Sequence, residues 1–378
     1  MLKLCITFDY ELFLGTNTLP EEEVLFRPAK ALAEMLAQEG VPATFFADTC
    51  SVTQHARFGQ TAYCDGFTAQ LRELYAMGHD VQLHIHPNWL NSRFQDGAWE
   101  ISAEGYKIHD FGFDPSTENS APAILRGGKT YLEETLRPVD PAYRCIAYRA
   151  GGFCIRPEQE LLRALLSLGI RIDSSVALRQ VSQGAIQDYD FSRMPSRLNW
   201  WVSPDKGLET PAPRGEDAVF EVAIGTARNS LFKYLGLPKD GIHVTSRSGA
   251  GSGIALPSRQ SGRLETLCRM VKRRLWSDGI LSLDTRGYAV LLRDLDEIFR
   301  RYGCGAQDQY AAIICHPKLA SEQTVENMRR FVRAVKRRPE ESEDCLREKA
   351  ASLLRIPPEE ILSLTVLRRA VDARPPIC

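Results

Sequence analysis

The chain has 378 residues, of which 44% are hydrophobic and 25% charged, and its formal net charge is −1. This composition is typical of a soluble globular protein with a large core, and the near-neutral charge gives no reason to expect a nucleic-acid partner. No apolar run approaches the ~18 residues of a membrane span, and no signal peptide precedes the first predicted strand. We therefore expect a cytoplasmic protein whose ten scattered cysteines, which form no CxxC pair, are free thiols.

Apolar strand-like runs alternate with helical patterns along the chain. Strands are predicted at residues 4–8, 42–47, 79–84, 143–149, 170–174 and 310–315. Helices are predicted at residues 29–38, 66–77 and 157–168. This alternation favours an α/β fold with a mainly parallel sheet. Long loop insertions are predicted at 88–125 and 225–262, and a helical C-terminal extension at 339–378.

Two pairs of polar residues spaced i, i+2 end predicted strands. Asp9 and Glu11 end the first strand, and His84 and His86 end the third. Because side chains alternate between the two faces of a strand, each pair points one way. Carboxylates and imidazoles are common ligands of divalent metals, so the two pairs could converge on one ion. The alternatives are a polar strand end that meets solvent and a histidine pair packed by Trp89.

Three later clusters also follow strand-like runs. Arg149 could orient a carboxylate by a bidentate bond, with a surface arginine before a turn as the alternative. Gly151 and Gly152 follow it and permit close approach of the backbone to a ligand. Asp173 could line a sugar pocket or cap a helix. His316 ends an apolar strand and is well placed as a general acid, with a buried core histidine as the alternative. Functional sites of α/β folds form at the carboxyl ends of strands, where all these residues lie.

Taken in chain order, these clusters resemble the polysaccharide deacetylase family, the NodB-homology carbohydrate esterases of family 4. Residues 7–11 look like its TFDD motif, and residues 78–84 like the approach to its histidine motif. The remaining matches are residues 43–46, the arginine motif at 148–152, and the last two motifs at 173–175 and 314–316. The histidines stand as HxH rather than HxxxH, and Glu11 rather than Tyr10 supplies the second carboxylate, which indicates a divergent branch.

The resemblance implies a distorted, incomplete (β/α) barrel of the NodB-homology type over residues 1–338. It implies a divalent metal held by Glu11, His84 and His86, with Zn²⁺ as the first choice and Co²⁺, Mn²⁺ or Ni²⁺ as alternatives. The catalytic roles that it implies are those of general base, general acid and anchor of the base, for Asp9, His316 and Arg149 respectively. The substrate-binding residues that we expect are Trp89, Gly151, Gly152 and Asp173.

The expected function is removal of an N-acetyl group from an amino sugar or glycan intermediate, in surface polysaccharide biosynthesis. Two alternatives are a metal-dependent amidohydrolase acting on a non-sugar amide and an inactive glycan-binding homologue. Basic stretches at 269–276 and 328–338 have helical spacing of apolar residues. They are expected to be solvated helix faces, with weak peripheral contact to an anionic membrane as the alternative. The sequence leaves the oligomeric state open.

Overall fold

The computed structural model describes residues 2–184, 186–215, 217–245, 247, 249–254, 278–302 and 308–337. Four predicted features lie wholly or partly outside the described residues. They are the C-terminal extension 339–378, the basic stretch 269–276, the last residue of the basic stretch 328–338, and residues 246, 248 and 255–262 of the insertion 225–262. The predicted domain boundary after residue 338 therefore stays a prediction.

Strands and helices alternate along the described chain, as the sequence predicts. The strands are β1 (Leu2–Tyr10), β2 (Thr16–Asn17), β3 (Thr44–Asp48), β4 (Asp80–Ile85), β5 (Arg93–Gln95), β6 (Ala98–Glu100), β7 (Ala147–Ala150), β8 (Ile172–Asp173), β9 (Val181–Gln183), β10 (Asp188–Asp190), β11 (Asn199–Val202), β12 (Pro211–Ala212), β13 (Val219–Val222), β14 (Thr226–Arg228), β15 (Gly251–Ser252), β16 (Asp278–Ile280) and β17 (Gln309–Cys315). The α-helices are α1 (Arg27–Gln38), α2 (Thr49–Arg57), α3 (Thr61–Ala76), α4 (Ala121–Leu136), α5 (Gln159–Ser167), α6 (Tyr288–Tyr302) and α7 (Glu322–Lys336).

One curled sheet of nine strands organises the molecule, in the order β12-β11-β13-β8-β7-β4-β3-β1-β17. From β13 to β17 every neighbouring pair is parallel, whereas β11 is antiparallel to both of its neighbours. The carboxyl ends of the parallel strands therefore meet at one edge of the sheet. This is the edge where the sequence places its candidate functional residues.

The two ends of the curled sheet meet at Ile224. This residue forms parallel bridges with Ala177, which follows β8, and with Ala312 in β17. A second short bridge joins Ser282 to Ile314. Single bridges of this kind close a barrel only locally. The predicted fold class, an α/β protein with a distorted and incomplete barrel, is confirmed.

The core lies between the sheet and the helices packed around it. Phe8 and Phe45 stack with ring centroids 4.6 Å apart, which ties β1 to β3. Gly40, Gly78 and Gly169 follow α1, α3 and α5 with φ angles of 64°, 91° and 74°. Such left-handed residues end helices, and glycine adopts this conformation without the strain caused by a Cβ. The sequence predicted helix ends at all three positions.

The first insertion differs from the prediction. Residues 88–125 contain the hairpin of β5 and β6 and the first turn of α4, so the segment is not an unstructured loop. Short helical turns also lie at Glu22–Phe26, Pro87–Asn91, Ile108–Phe111, Gly151–Phe153, Leu231–Tyr234, Lys239–Gly241 and Pro317–Leu319. Elements this short give no detectable periodicity in a sequence. The helices α2, α4 and α6 are also absent from the elements that the sequence predicts.

The basic helix α7 packs with its apolar side inward. Met328, Phe331 and Val332 are buried, while Arg330 and Arg333 form ion pairs with acidic residues elsewhere on the surface. The apolar face that a membrane would need is therefore already used in the core. This favours the solvated helix face over membrane contact. Within the described ranges, each helix is too short or too polar to cross a bilayer.

Candidate functional site

Four candidate residues converge at the carboxyl edge of the sheet. β1 carries Asp9 and leads directly into Glu11, while β4 carries His84 and leads into His86. All four side chains are buried. In the parallel register His84 pairs with Asp48 of β3 on one side and with Arg149 of β7 on the other. The strand ends thus bring together residues from distant parts of the chain.

Glu11, His84 and His86 form a cluster suited to a divalent metal ion. One ligand atom from each lies within 4.8 Å of the others. Glu11 Oε2 is 3.1 Å from Nε2 of His84 and 2.5 Å from Nε2 of His86. Two imidazole nitrogens and one carboxylate oxygen are a common donor set of catalytic zinc, which leaves coordination positions open. The residues present therefore fit the predicted metal.

The two histidines are held differently. Nδ1 of His84 donates a hydrogen bond to the carbonyl oxygen of Arg149 at 2.8 Å, which directs Nε2 towards Glu11. His86 is held by its backbone N–H, which donates to Asp48 Oδ1 at 3.0 Å. Among the described residues, Nδ1 of His86 has no hydrogen-bond partner. A Cβ on Gly151 would lie 2.7 Å from that nitrogen, so the glycine leaves room for the imidazole ring.

Asp9 is paired with Arg149 inside the barrel. Arg149 Nη1 donates to Asp9 Oδ1 at 2.6 Å, and its other nitrogens donate to the carbonyl and hydroxyl oxygens of Ser174, each at 2.9 Å. Burial alone would raise the pKa of Asp9, but the positive charges of Arg149, His84 and His316 outweigh it and lower the pKa. Asp9 is therefore a buried carboxylate kept ionised by its surroundings.

His316 reaches the same space from the end of β17. Its Nε2 lies 3.7 Å from Asp9 Oδ2 and 3.8 Å from Glu11 Oε1, and its Nδ1 donates to Asp284 Oδ2 at 2.8 Å. Burial alone would lower the pKa of His316. The negative charges of Asp284 and Asp9 outweigh this effect and raise the pKa to about 9. The ring is therefore protonated at neutral pH. Its side chain is 21% exposed, the most of the side chains described in this cluster.

Sequence reasoning missed three residues of the cluster. Asp284 binds His316, Lys318 Nζ lies 2.5 Å from Glu11 Oε1, and Asp48 supports the backbone of His86. Lys318 stands two residues after His316, so its position in the sequence could have suggested it. Asp284 is 32 residues from its partner, with no spacing that links the two.

Two predicted substrate-binding residues lack a surface for a substrate. Trp89 is 0% exposed and packs against the rings of His55 and Trp99, with centroids 5.3 and 5.2 Å away. Asp173 is also 0% exposed, and both of its oxygens accept hydrogen bonds from Ser175, at 2.7 and 3.1 Å. In this structure both side chains belong to the interior, and a contact of either with a substrate stays a prediction.

The predicted glycines lie beside the cluster. Gly151 packs against the ring of His86. Gly152 has a φ of 58°, and a Cβ there would come within 2.8 Å of the Tyr106 ring. Both positions keep the backbone close to neighbouring side chains, which is the property that the sequence suggested. A contact between these glycines and a substrate stays a prediction.

Comparisons with known proteins give little beyond the fold. A family model described as "Domain of unknown function (DUF8436)" matches residues 331–376. No curated protein matches the chain. Among solved structures, the chain is similar to a proposed polysaccharide deacetylase from Mycobacterium smegmatis, with 13% identity, a TM-score of 0.41, and coverage of 98% of this chain and 94% of that one.

Two further structures are similar at the same level. One is the Puue allantoinase, with 10% identity, a TM-score of 0.43, and coverage of 89% of this chain and 85% of that one. The other is a mutant of a CE4-family pseudoenzyme with restored enzymatic activity, with 10% identity, a TM-score of 0.35, and coverage of 89% of this chain and 62% of that one. At such identities and scores, a substrate or a reaction has to be argued from the site itself.

Proposed function

We propose that the protein is a metal-dependent hydrolase that removes an N-acetyl group from an amino sugar or glycan intermediate. The observation that carries the proposal is the meeting of three kinds of group at one buried edge. These are the donor set of Glu11, His84 and His86, the ionised Asp9, and the protonated His316. The order of the sequence motifs supports an acetamide as the substrate.

Glu11, His84 and His86 would hold the cation, with Zn²⁺ as the first choice and Co²⁺, Mn²⁺ or Ni²⁺ as alternatives. When bound, such an ion lowers the pKa of a water molecule and polarises an amide carbonyl. The protein residues around the ion have separate tasks, which follow from their hydrogen bonds and charges.

Asp9 is the proposed general base. Its Oδ2 lies 4.0 Å from His84 Nε2, on the side of the metal ligands, while Oδ1 is held by Arg149. A carboxylate fixed in this way can accept a proton from an attacking water molecule. Because Arg149 binds only one oxygen of Asp9 and keeps the group ionised, the second oxygen stays available for that proton.

His316 is the proposed general acid. Its ring is protonated and anchored by Asp284, and its Nε2 lies 3.7 Å from Asp9 Oδ2. In hydrolysis the water oxygen joins the acetyl carbon, the C–N bond breaks, and the departing nitrogen needs a proton. His316 supplies that proton, so the products are acetate and a free amine.

The test is acetate release by the zinc-loaded protein from a panel of N-acetylated compounds. The panel includes free sugars and oligosaccharides, as well as nucleotide sugars and lipid-linked intermediates, the forms expected in glycan biosynthesis. Asp9→Asn should lose roughly a hundred- to ten-thousand-fold in rate while it still binds metal. Asp205→Asn, which breaks an exposed ion pair with Arg163, is the control and should keep full activity. Wild-type turnover in both Asp9→Asn and His316→Ala would refute the proposal.

A hydrolase of a small non-sugar amide is the second candidate. The donor set of Glu11, His84 and His86 can serve the hydrolysis of an amide whatever group carries its nitrogen, and the buried Trp89 and Asp173 give no specific support for a sugar. Including non-sugar amides in the panel separates the two candidates by which compound is cleaved. Failure of the wild-type protein to bind metal would instead favour the inactive glycan-binding homologue.

A further inference from the structure

The two oxygens of the Glu11 carboxylate have different partners. Oε2 faces the imidazoles, at 3.1 Å from His84 Nε2 and 2.5 Å from His86 Nε2. Oε1 accepts a hydrogen bond from Lys318 Nζ at 2.5 Å. One oxygen thus belongs to the proposed metal ligands, and the other is bound by a lysine.

Lys318 is itself firmly placed. It lies in the short turn Pro317–Leu319 directly after His316, and the N–H of Leu319 donates to the carbonyl oxygen of His316 at 3.0 Å. Its ammonium group also donates to the carbonyl oxygen of Leu12 at 3.2 Å. The residue is only 8% exposed. The position of its charge is therefore set by the fold and not by a mobile surface side chain.

Three pairs of opposite charge lie around the cluster. Arg149 binds Asp9, the protonated His316 binds Asp284, and Lys318 binds Glu11. The carboxylate expected to bind a cation is therefore already neutralised by a lysine. A divalent cation that enters the site has to bind beside this positive charge, which weakens its binding.

We infer that Lys318 is a positioning residue that keeps Glu11 a one-oxygen metal ligand and lowers the affinity of the centre for its cation. The inference rests on the proposed function, because it takes Glu11, His84 and His86 as the ligands. A carboxylate whose second oxygen is bound by lysine cannot offer both oxygens to the ion. Lys318 thereby preserves the open coordination positions that a catalytic metal needs.

The test compares Lys318→Met with Lys129→Met in their binding of Co²⁺. Lys129 is the matched control, because its Nζ also binds a carboxylate oxygen, of Glu133 at 2.5 Å, and a backbone carbonyl, of Cys145 at 2.9 Å. Titration calorimetry gives the affinity. The visible absorption of bound Co²⁺ reports the coordination geometry, independently of any catalytic activity.

Lys318→Met should bind Co²⁺ at least about ten-fold more tightly, because one positive charge beside a divalent ion is removed. Its visible absorption should weaken, since a second oxygen of Glu11 raises the coordination number. Lys129→Met should match the wild type in both measurements. If Lys318→Met does not fold, Lys318→Gln keeps a donor for Oε1 without the charge. That variant should then bind more tightly with an unchanged spectrum.

The outcomes distinguish the two proposals. Wild-type protein that binds no Co²⁺ overturns the metal-dependent hydrolase and, with it, the role of Lys318. Wild-type protein that binds Co²⁺, together with a lysine variant of equal or weaker affinity, overturns the role of Lys318 alone. The hydrolase proposal then stands on its own test.

Discussion

Asp284 binds His316 through both of its carboxylate oxygens. Oδ1 accepts a hydrogen bond from the backbone N–H of His316, and Oδ2 accepts one from Nδ1 of the ring, each at 2.8 Å. Hydrogen bonds between the backbones of Leu281 and Ile314 and of Leu283 and Ile314 hold the two segments in register. The ring is therefore fixed with Nε2 towards Asp9, as the proposed general acid would need.

The first prediction concerns the variant Asp284→Asn. Loss of the carboxylate charge should lower the pKa of His316 from about 9. A cationic proton donor is present below its pKa and is lost as the pH rises through it, so the alkaline limb of activity should move to lower pH. The turnover number should also fall, by roughly a hundred-fold, because the ring loses its orientation. The measurement is kcat as a function of pH for the variant and the wild type.

An alkaline limb at the same pH in Asp284→Asn and in the wild type would mean that His316 is not the group that titrates. Asp205→Asn again serves as the control, since it removes a carboxylate from an exposed ion pair. Its pH profile should coincide with that of the wild type.

The second prediction concerns Gly151→Ala. A Cβ there would lie 2.4 Å from the carbonyl oxygen of Ile85 and 2.7 Å from Nδ1 of His86, so the imidazole ring has to move. Displacing one ligand ring should weaken metal binding by roughly ten-fold or more, by analogy with changes around other metal ligands. Gly127→Ala, where a Cβ meets nothing within 4 Å, is the matched control. Equal zinc affinities of the two variants in calorimetry would show that Gly151 does not position His86.

Much of this site could be predicted because its residues mark the ends of local patterns. Asp9, Glu11, His84 and His86 follow two apolar strands, and alternation along a strand fixes which way each pair points. The partners of Lys318 and Asp284 are different, because these contacts form only through the register of distant segments. The link between Asp284 and His316, for example, depends on the pairing of residues 281–283 with β17.

Like the register of distant segments, the burial of a side chain is a property that the sequence does not show. Trp89 and Asp173 are residue types that often contact sugars, but the structure encloses both of them. Trp89 is covered by the hairpin of β5 and β6, where Trp99 lies against it. Because those strands have only three residues each, no sequence pattern indicates that a structured element covers the tryptophan.

The third prediction concerns the stability contributed by the buried pair of Arg149 and Asp9. Arg149→Met leaves an unpaired carboxylate inside the barrel, and it should lower the free energy of unfolding by about 3–5 kcal/mol. Arg163→Met removes an arginine from an exposed ion pair with Asp205 and should cost less than about 1 kcal/mol. Urea denaturation of both variants measures the difference. Similar losses in the two variants would argue against a buried charge pair.

Arg149→Lys refines this third test. Lysine keeps the positive charge, but it cannot reproduce the planar group that bonds Asp9 and both oxygens of Ser174 at once. Its loss of stability should fall between those of Arg149→Met and the wild type. A lysine variant as unstable as the methionine variant would show that the geometry of the guanidinium, rather than its charge, stabilises the pair.

The fourth prediction concerns His55 and the stability of the protein in acid. The ring is 1% exposed, and its Nδ1 donates to the carbonyl oxygen of Ser51 at 2.7 Å. Within the described part of the chain, its Nε2 has no hydrogen-bond partner. Burial lowers the pKa of His55 to about 4. The folded protein therefore keeps His55 neutral at a pH where the unfolded chain, with a histidine pKa of about 6.5, already binds a proton.

Binding of that proton stabilises the unfolded state as the pH falls below about 6.5. Because of this residue, the free energy of unfolding should decrease by about 2 kcal/mol between pH 7 and pH 5. His55→Phe keeps a ring beside Tyr63 and Trp99 but cannot titrate. It should be less stable than the wild type at pH 7, because the bond to Ser51 is lost, and the difference should shrink as the pH falls. Denaturant unfolding at pH 7, 6 and 5 measures both proteins, and a difference that stays constant with pH would show that His55 is not held neutral by the fold.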